Sequence, residues 1–435
     1  MGRGAVWLAV LAACAWGARA TYLEGFRYSA PRGFTGDFTA AMFTADYWDG
    51  SGIFYGPVFV FERWLVDAAP GVFTVEAFAI ADIALVAVAF VALVRAFRLT
   101  PLGGAAALAL WLCHSRLSYS FSVAANPELL ELAFIAGAIH LATRRDRRHE
   151  AGEGVLVALA ALTKYIPWAL ALLLAVRRRW TALAGVGACV VVVAVVTAIG
   201  QRLGPGEVAR GLLLPVGSDP SGGGLIGTHV ESDQFLDVGT AIGRLLSEPA
   251  LTAGQQRFAV VGAVGVMVAA LAAAVVAAWA LRRVPVPPRR EAALLAAMGF
   301  ALLPILTPTA HPHTFVFLLP VWAAFVSLAT DRGLPPALRL AVAAAGLLTY
   351  TATGFPELYQ LVDAVVGTAL LTSWWVRDPI FATLVAFSAA TAAALVIARR
   401  AAEHARWNTA TDLRDHRPAE DGADVLATGA SARMR

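Results

Sequence analysis

The sequence predicts an all-α, polytopic membrane protein, and three observations carry that reading. The 435 residues are 59% hydrophobic and only 15% charged, against roughly 25% charged in a soluble domain. Mean hydropathy is +0.67. Apolar runs of roughly 17–25 residues recur along most of the chain, the length a helix needs to cross ~30 Å of hydrocarbon.

The net charge of +4 is carried by arginine, in short blocks between the apolar runs. Such blocks orient a membrane protein and do not form the continuous basic face that nucleic acid requires, so no nucleic-acid partner is expected. Cys14, Cys113 and Cys189 lie in apolar runs. Without metal-ligand spacing or a disulfide framework, they read as small buried hydrophobes.

About ten spans are predicted, at about 4–20, 72–94, 101–117, 126–143, 181–200, 257–281, 291–308, 313–330, 337–355 and 378–398. The first is either a cleaved signal peptide or a retained helix; Arg19 beside the candidate cleavage site favours retention. One threading puts every basic block in the cytoplasm: Arg95/Arg98, Arg144 to Arg148, Arg177 to Arg179, Arg282 to Arg290, Arg332/Arg339 and Arg399/Arg400. Both termini are then cytoplasmic, in a cell-membrane protein. Residues 154–176 break the alternation, because an arginine block lies on each side. The run is interrupted at Thr163-Lys164-Tyr165-Ile166-Pro167, where proline removes a donor and disfavours helix before it. This predicts a re-entrant hairpin of two half-helices; the alternative is a kinked full span.

Four segments then face outward: 21–71, Ser115–Asn126, 201–256 and 356–377. The third holds a Gly/Ser/Pro stretch at Gly217–Gly227, and the last reads as an amphipathic interfacial helix ending at Trp374-Trp375. A short turn at Ala310–His313 joins them. Residues 1–398 form the membrane unit, and the charged, apolar-poor tail 399–435 is predicted to be disordered. Few polar groups lie inside the spans; they collect at the external ends. That suits an enzyme of the outer interface better than a channel, which needs a polar path across the membrane.

Asp37, soon after the first span, can act as a general base on an acceptor hydroxyl, or cap a helix over 38–48. Asp46 and Asp49 read as loop-solvating groups, and Tyr55-Gly56-Pro57 as a turn. His311 and His313 can donate to phosphate oxygens or anchor the interface. Lys164 is the only lysine. Inside an apolar run it marks a buried partner or snorkels. Arg116, Asn126, Glu128 and Glu131 cluster at the second external turn, and His229, Glu231 and Asp233 lie in the third loop. Each group lines an external cavity or caps helix ends. No Walker loop, nucleophile elbow or dinucleotide fingerprint is present. The first loop has no Asp-x-Asp pair, so neither a metal nor a soluble cofactor is expected.

These residues resemble a known pattern: glycosyltransferase family 87, of the GT-C fold, which includes actinobacterial mannosyltransferases using polyprenyl-phosphate-mannose. Gly36-Asp37-Phe38 followed by Tyr55-Gly56-Pro57 is similar to the family's first-loop region. Asn126, an apolar helix, an arginine block and Ala160 to Pro167 ahead of Arg177-Arg178-Arg179-Trp180 resemble its central segment. Thr307-Pro308 with His311 and His313 is similar to its histidine turn. Two departures concern substrate identity: Gly56-Pro57 replaces a proline pair, and Pro312 separates the histidines. The resemblance implies Asp37 as catalytic base of an inverting transfer, with the histidine turn beside the sugar or phosphate. The donor would be a polyprenyl-phosphate sugar, most simply mannose, and the acceptor a glycolipid or glycan. The substrate-binding candidates are His311, His313, Tyr55, Lys164, Arg116, Asn126, Glu128 and His229. The competing readings are a carrier or flippase for a lipid-linked sugar, and a scaffold that has lost the chemistry.

Overall fold

The computed structural model describes residues 3–23, 57–121, 126–144, 146–202, 204, 206, 228–232, 235–247, 250–308 and 310–415, and among them every regular element is helical. In chain order these are α1 (Arg3–Thr21), α2 (Pro57–Ala68), α3 (Val75–Phe97), α4 (Pro101–Leu112), α5 (Ser115–Phe121), α6 (Pro127–Ala142), α7 (Arg147–Thr163), α8 (Trp168–Val176) and α9 (Trp180–Gln201). Then come α10 (Val238–Leu246), α11 (Ala253–Arg282), α12 (Pro288–Leu306), a 3-10 turn (Pro312–Phe317), α13 (Leu318–Thr330), α14 (Pro336–Gly354), α15 (Pro356–Val366), a π turn (Leu371–Val376) and α16 (Pro379–Asp415).

Helix boundaries follow local chemistry. Thr74 caps α3 by accepting from Ala77 N, and Thr100 caps α4 ahead of Pro101. Asp146 caps α7, and Thr252 with Gln255 forms a capping box on α11. A short polar side chain satisfies amides that the helix leaves orphaned.

Among the described residues six helical runs, one of them the 3-10 turn continued by α13, are long and apolar enough to cross a membrane, or seven if α14 and α15, bent by 94°, count as one span. The sequence suggested about ten. The predicted span 101–117 is split at Cys113–His114 into α4 and α5. Helix α6 has 16 residues and carries Glu128 and Glu131. Helix α12 begins with Arg289, Arg290 and Glu291. Valine, leucine and isoleucine side chains such as Ile80, Val192, Ile199, Val261 and Leu340 point outward, while much of the interior is alanine. Where lipid is as apolar as the core, helices associate through close packing of small residues.

The crossing of α7 and α9 shows this. A Cβ on Gly154 would overlap the Ala182 backbone, and one on Gly185 the Ala151 carbonyl. Gly154→Ala is expected to lower the melting temperature in detergent by a cost of about 1–3 kcal/mol. Gly187→Ala, with open space around it, is the control and should be neutral or slightly stabilising.

The arginine blocks gather at one end of the bundle. Arg177 pairs with Glu291, Arg290 with Asp331, and Arg282 donates to the Val176 carbonyl. Helices α1 and α4 run in parallel, since Cys14 donates to the Ala105 carbonyl and Thr21 to that of Leu112. The start of α1 therefore lies at the arginine end. The segment after α7 doubles back at Lys164–Pro167. Arg179, beyond α8, returns to pair with Glu150 and Glu153 near the start of α7. At 1.5 Å per residue, the turn stands about 15 Å above Glu153. Helix α16 continues past Arg399 to Asp415, and the rest of the tail lies outside the described residues. Alanine and arginine are strong helix formers there, and Arg399 pairs with Glu403 one turn on.

Candidate functional site

At the end opposite the arginines, Asn126 organises the first turn of α6. Its Oδ1 accepts from Glu128 N (3.0 Å), and its Nδ2 donates to the Ser120 carbonyl (3.2 Å). Asn126 therefore caps, as one of its sequence readings has it. The cap fixes Glu128 inside the bundle with its side chain wholly buried. Lys164 ends α7 at the tip of the doubled-back segment, and its Nζ donates to Glu128 Oε1. His313 Nε2 stands 3.4 Å from the same oxygen. Two candidates far apart in sequence, Lys164 and His313, thus meet on one carboxylate oxygen of a third, Glu128. A buried carboxylate persists as an ion only with such partners. Glu131 is buried one turn further along α6, and its Oε1 meets no hydrogen-bond partner.

Rings from four segments form a column above this cluster. His229 packs on Phe235 (4.2 Å between centroids), Phe235 on His311 (5.0 Å), His311 on His313 (5.4 Å) and His313 on Tyr119 (6.3 Å). The backbone is stitched to match: Leu236 N donates to the Ala310 carbonyl at 2.7 Å. Asp237 caps α10 through Thr240, and the Thr240 hydroxyl in turn accepts from His229 N. Arg244 donates to the carbonyls of Ser232 (2.6 Å) and Phe235 (3.1 Å) and pairs with buried Asp378 at the start of α16. One guanidinium therefore fixes the loop that carries His229.

Arg116 begins α5. Its guanidinium lies 5.8 Å from the Phe315 ring centroid, and its buried Nε has no partner. Its backbone N–H donates to His114 Nδ1 at 3.1 Å. That acceptor role places the His114 proton on Nε2, which faces Thr353 Oγ1 at 3.1 Å. His114 is fully buried against Trp322 and Tyr350.

His114, Asp237, Arg244 and Asp378 were not singled out by sequence reasoning. Asp237 had a usable signal, a carboxylate opening an amphipathic run. The other three lie in or beside apolar stretches, with partners visible only in three dimensions. Asp37, Tyr55, Asp46, Asp49 and Asp233 lie outside the described residues. Among the described residues, no group of three His, Cys, Asp or Glu side chains is arranged to hold a metal ion.

Burial pushes the Asp237 carboxyl up to about 6, against the opposing pull of the Thr240 hydrogen bonds and the His229 charge. The folded value lies above the unfolded one. Its contribution to stability is therefore complete below about pH 4 and is lost as pH rises through about 6. The parent chain should lose on the order of 3 kcal/mol from this group between those limits. Asp237→Asn, which keeps the capping oxygen, should flatten that part of the profile of melting temperature against pH. An unchanged slope would remove Asp237 as its source.

The architecture is that of a polytopic, all-α membrane protein with a buried polar cluster and a column of packed rings at one end. The sequence profile of glycosyltransferase family 87 matches residues 53–308, more than half of the chain, and the chain belongs to that family. It is a membrane glycosyltransferase. The matched stretch contains Tyr55, Arg116, Asn126, Glu128, Lys164 and His229; Asp37 precedes it and the two histidines follow it. No curated protein and no solved structure matches the chain.

Proposed function

We propose that this chain transfers a hexosyl unit, mannosyl in the simplest case, from a polyprenyl-phosphate donor to a glycolipid or glycan at the extracytoplasmic face of the cell membrane. The observation that carries this is the convergence of Lys164, Glu128 and His313 beneath the histidine column, at the end away from the arginines. The positive-inside rule assigns the arginine end to the cytoplasm, so the polar cluster and the ring column lie toward the opposite leaflet, which a lipid donor reaches laterally.

In this reading Asp37 takes the proton of an acceptor hydroxyl. The oxygen attacks the anomeric carbon, the bond from that carbon to the phosphate oxygen breaks, and the phosphate leaves with the electron pair. Configuration inverts. Charge developing on the phosphate calls for fixed donors, which the imidazoles of His311 and His313 and the guanidinium of Arg116 supply. Glu128 and Lys164 hold His313 in place, and the ring faces of the column pack against the sugar. No nucleotide or metal takes part.

The test uses membranes containing the full chain, radiolabelled polyprenyl-phosphate-mannose and a panel of glycolipid acceptors. Label should pass to an acceptor, and His313→Ala should reduce the rate. Transfer from a nucleotide sugar but not from the lipid-linked sugar would overturn the donor assignment.

A further inference from the structure

The arginine end holds a second site of different character. The last turns of α3 and α6 enclose an open pocket of about 780 Å³ lined by Arg95, Arg98, Arg144, His140, Thr143 and Leu99, among others. Arg177, Arg179 and Arg290, at the same end, are each matched to a carboxylate. Arg95, Arg98 and Arg144 are exposed, and among the described residues none of them pairs with an acid. His140 also lines the pocket, and its buried Nδ1 has no hydrogen-bond partner. Three unmatched guanidiniums around one concavity form a receptor for a phosphate group, since each offers a fork of donors suited to its oxygens.

The surface leading into the pocket indicates what carries that phosphate. Ile80, Ile83, Val88 and Val91 are all exposed on α3, and their spacing places them on the helix face that ends in Arg95 and Arg98. From Ile80 to Arg95 this stripe is about 22 Å long, more than the ~15 Å depth of one leaflet's acyl layer. A free anion has no use for the stripe, whereas a phospholipid would lay its chains along it with the headgroup among the arginines. We infer that this pocket binds the phosphate of an anionic phospholipid in the leaflet at the arginine end, separately from the glycosyl-transfer site.

The probe is phosphatidylglycerol, compared with phosphatidylcholine and with inorganic phosphate, on the detergent-purified full chain. Phosphatidylglycerol should raise the melting temperature and stay bound in native mass spectra, and phosphatidylcholine should do neither. The triple variant Arg95→Gln, Arg98→Gln, Arg144→Gln should bind phosphatidylglycerol roughly a hundredfold more weakly, from the loss of three surface charges. Should that variant fold poorly, Val88→Ser with Val91→Ser serves instead: it leaves the guanidiniums intact and should still weaken lipid retention. Undiminished lipid binding in the variant that folds would overturn the proposal. So would inorganic phosphate stabilising the parent chain as well as phosphatidylglycerol does, because the pocket would then be a site for the free anion.

Discussion

Lys164→Met should unfold at a markedly lower temperature than the parent chain, and most of that loss should return in the double variant with Glu128→Gln. Glu128 is wholly buried, and Lys164 donates directly to its Oε1. Removing one partner of a buried pair strands the other charge, at a cost of about 3–5 kcal/mol. Neutralising both removes the stranded charge and leaves an uncharged amide beside a thioether of similar shape, at a much smaller cost. The comparison also separates architecture from chemistry. His313 lies 3.4 Å from the same oxygen, so the double variant should fold yet place that imidazole poorly, with transfer falling while stability recovers. A double variant that recovers both would reduce the pair to a structural staple. Thermal unfolding in detergent and the lipid-donor assay, run on the same preparations, decide between these outcomes.

How much of this was legible follows from where the signals lie. The arginine blocks are local in sequence and read correctly as one end of the bundle, because charge beside an apolar run needs no partner to be noticed. Lys164 stood out for the same reason, as a solitary ammonium beside Pro167 in an apolar stretch. Glu128 stood out as a candidate in its own right, but not as the partner of Lys164. Glu128 opens a helix behind Asn-Pro, where an acidic residue is expected for capping alone, and only the antiparallel packing of α6 on α7 brings the two together. The ring column is less legible still. His229 and His311 never touch directly; Phe235 joins them, and a phenylalanine in a loop carries no chemical signal. The span count exceeded what the helices support because hydropathy averages across a break. The helix breaks at Cys113–His114, between α4 and α5, inside an apolar window.

Asp37→Asn should leave the fold and lipid binding unchanged and slow sugar transfer by a factor of roughly 10²–10⁴, the range a positioned general base contributes. The change removes a charge and almost no volume. If Asp37 only caps a helix, as its position also allows, asparagine caps as well and transfer should persist. The same variant distinguishes an enzyme from a carrier. A carrier moves the intact lipid-linked sugar and forms no glycosidic bond, so loss of a proton acceptor need not slow it. The informative measurement is therefore the ratio of product formed to donor bound. If Asp37 is the base, binding stays level while product collapses, and the stereochemistry of the residual product stays inverted. If product formation survives, the proton leaves by another route, and Glu131, buried one turn from Glu128 with an unpartnered oxygen, becomes the next carboxylate to replace.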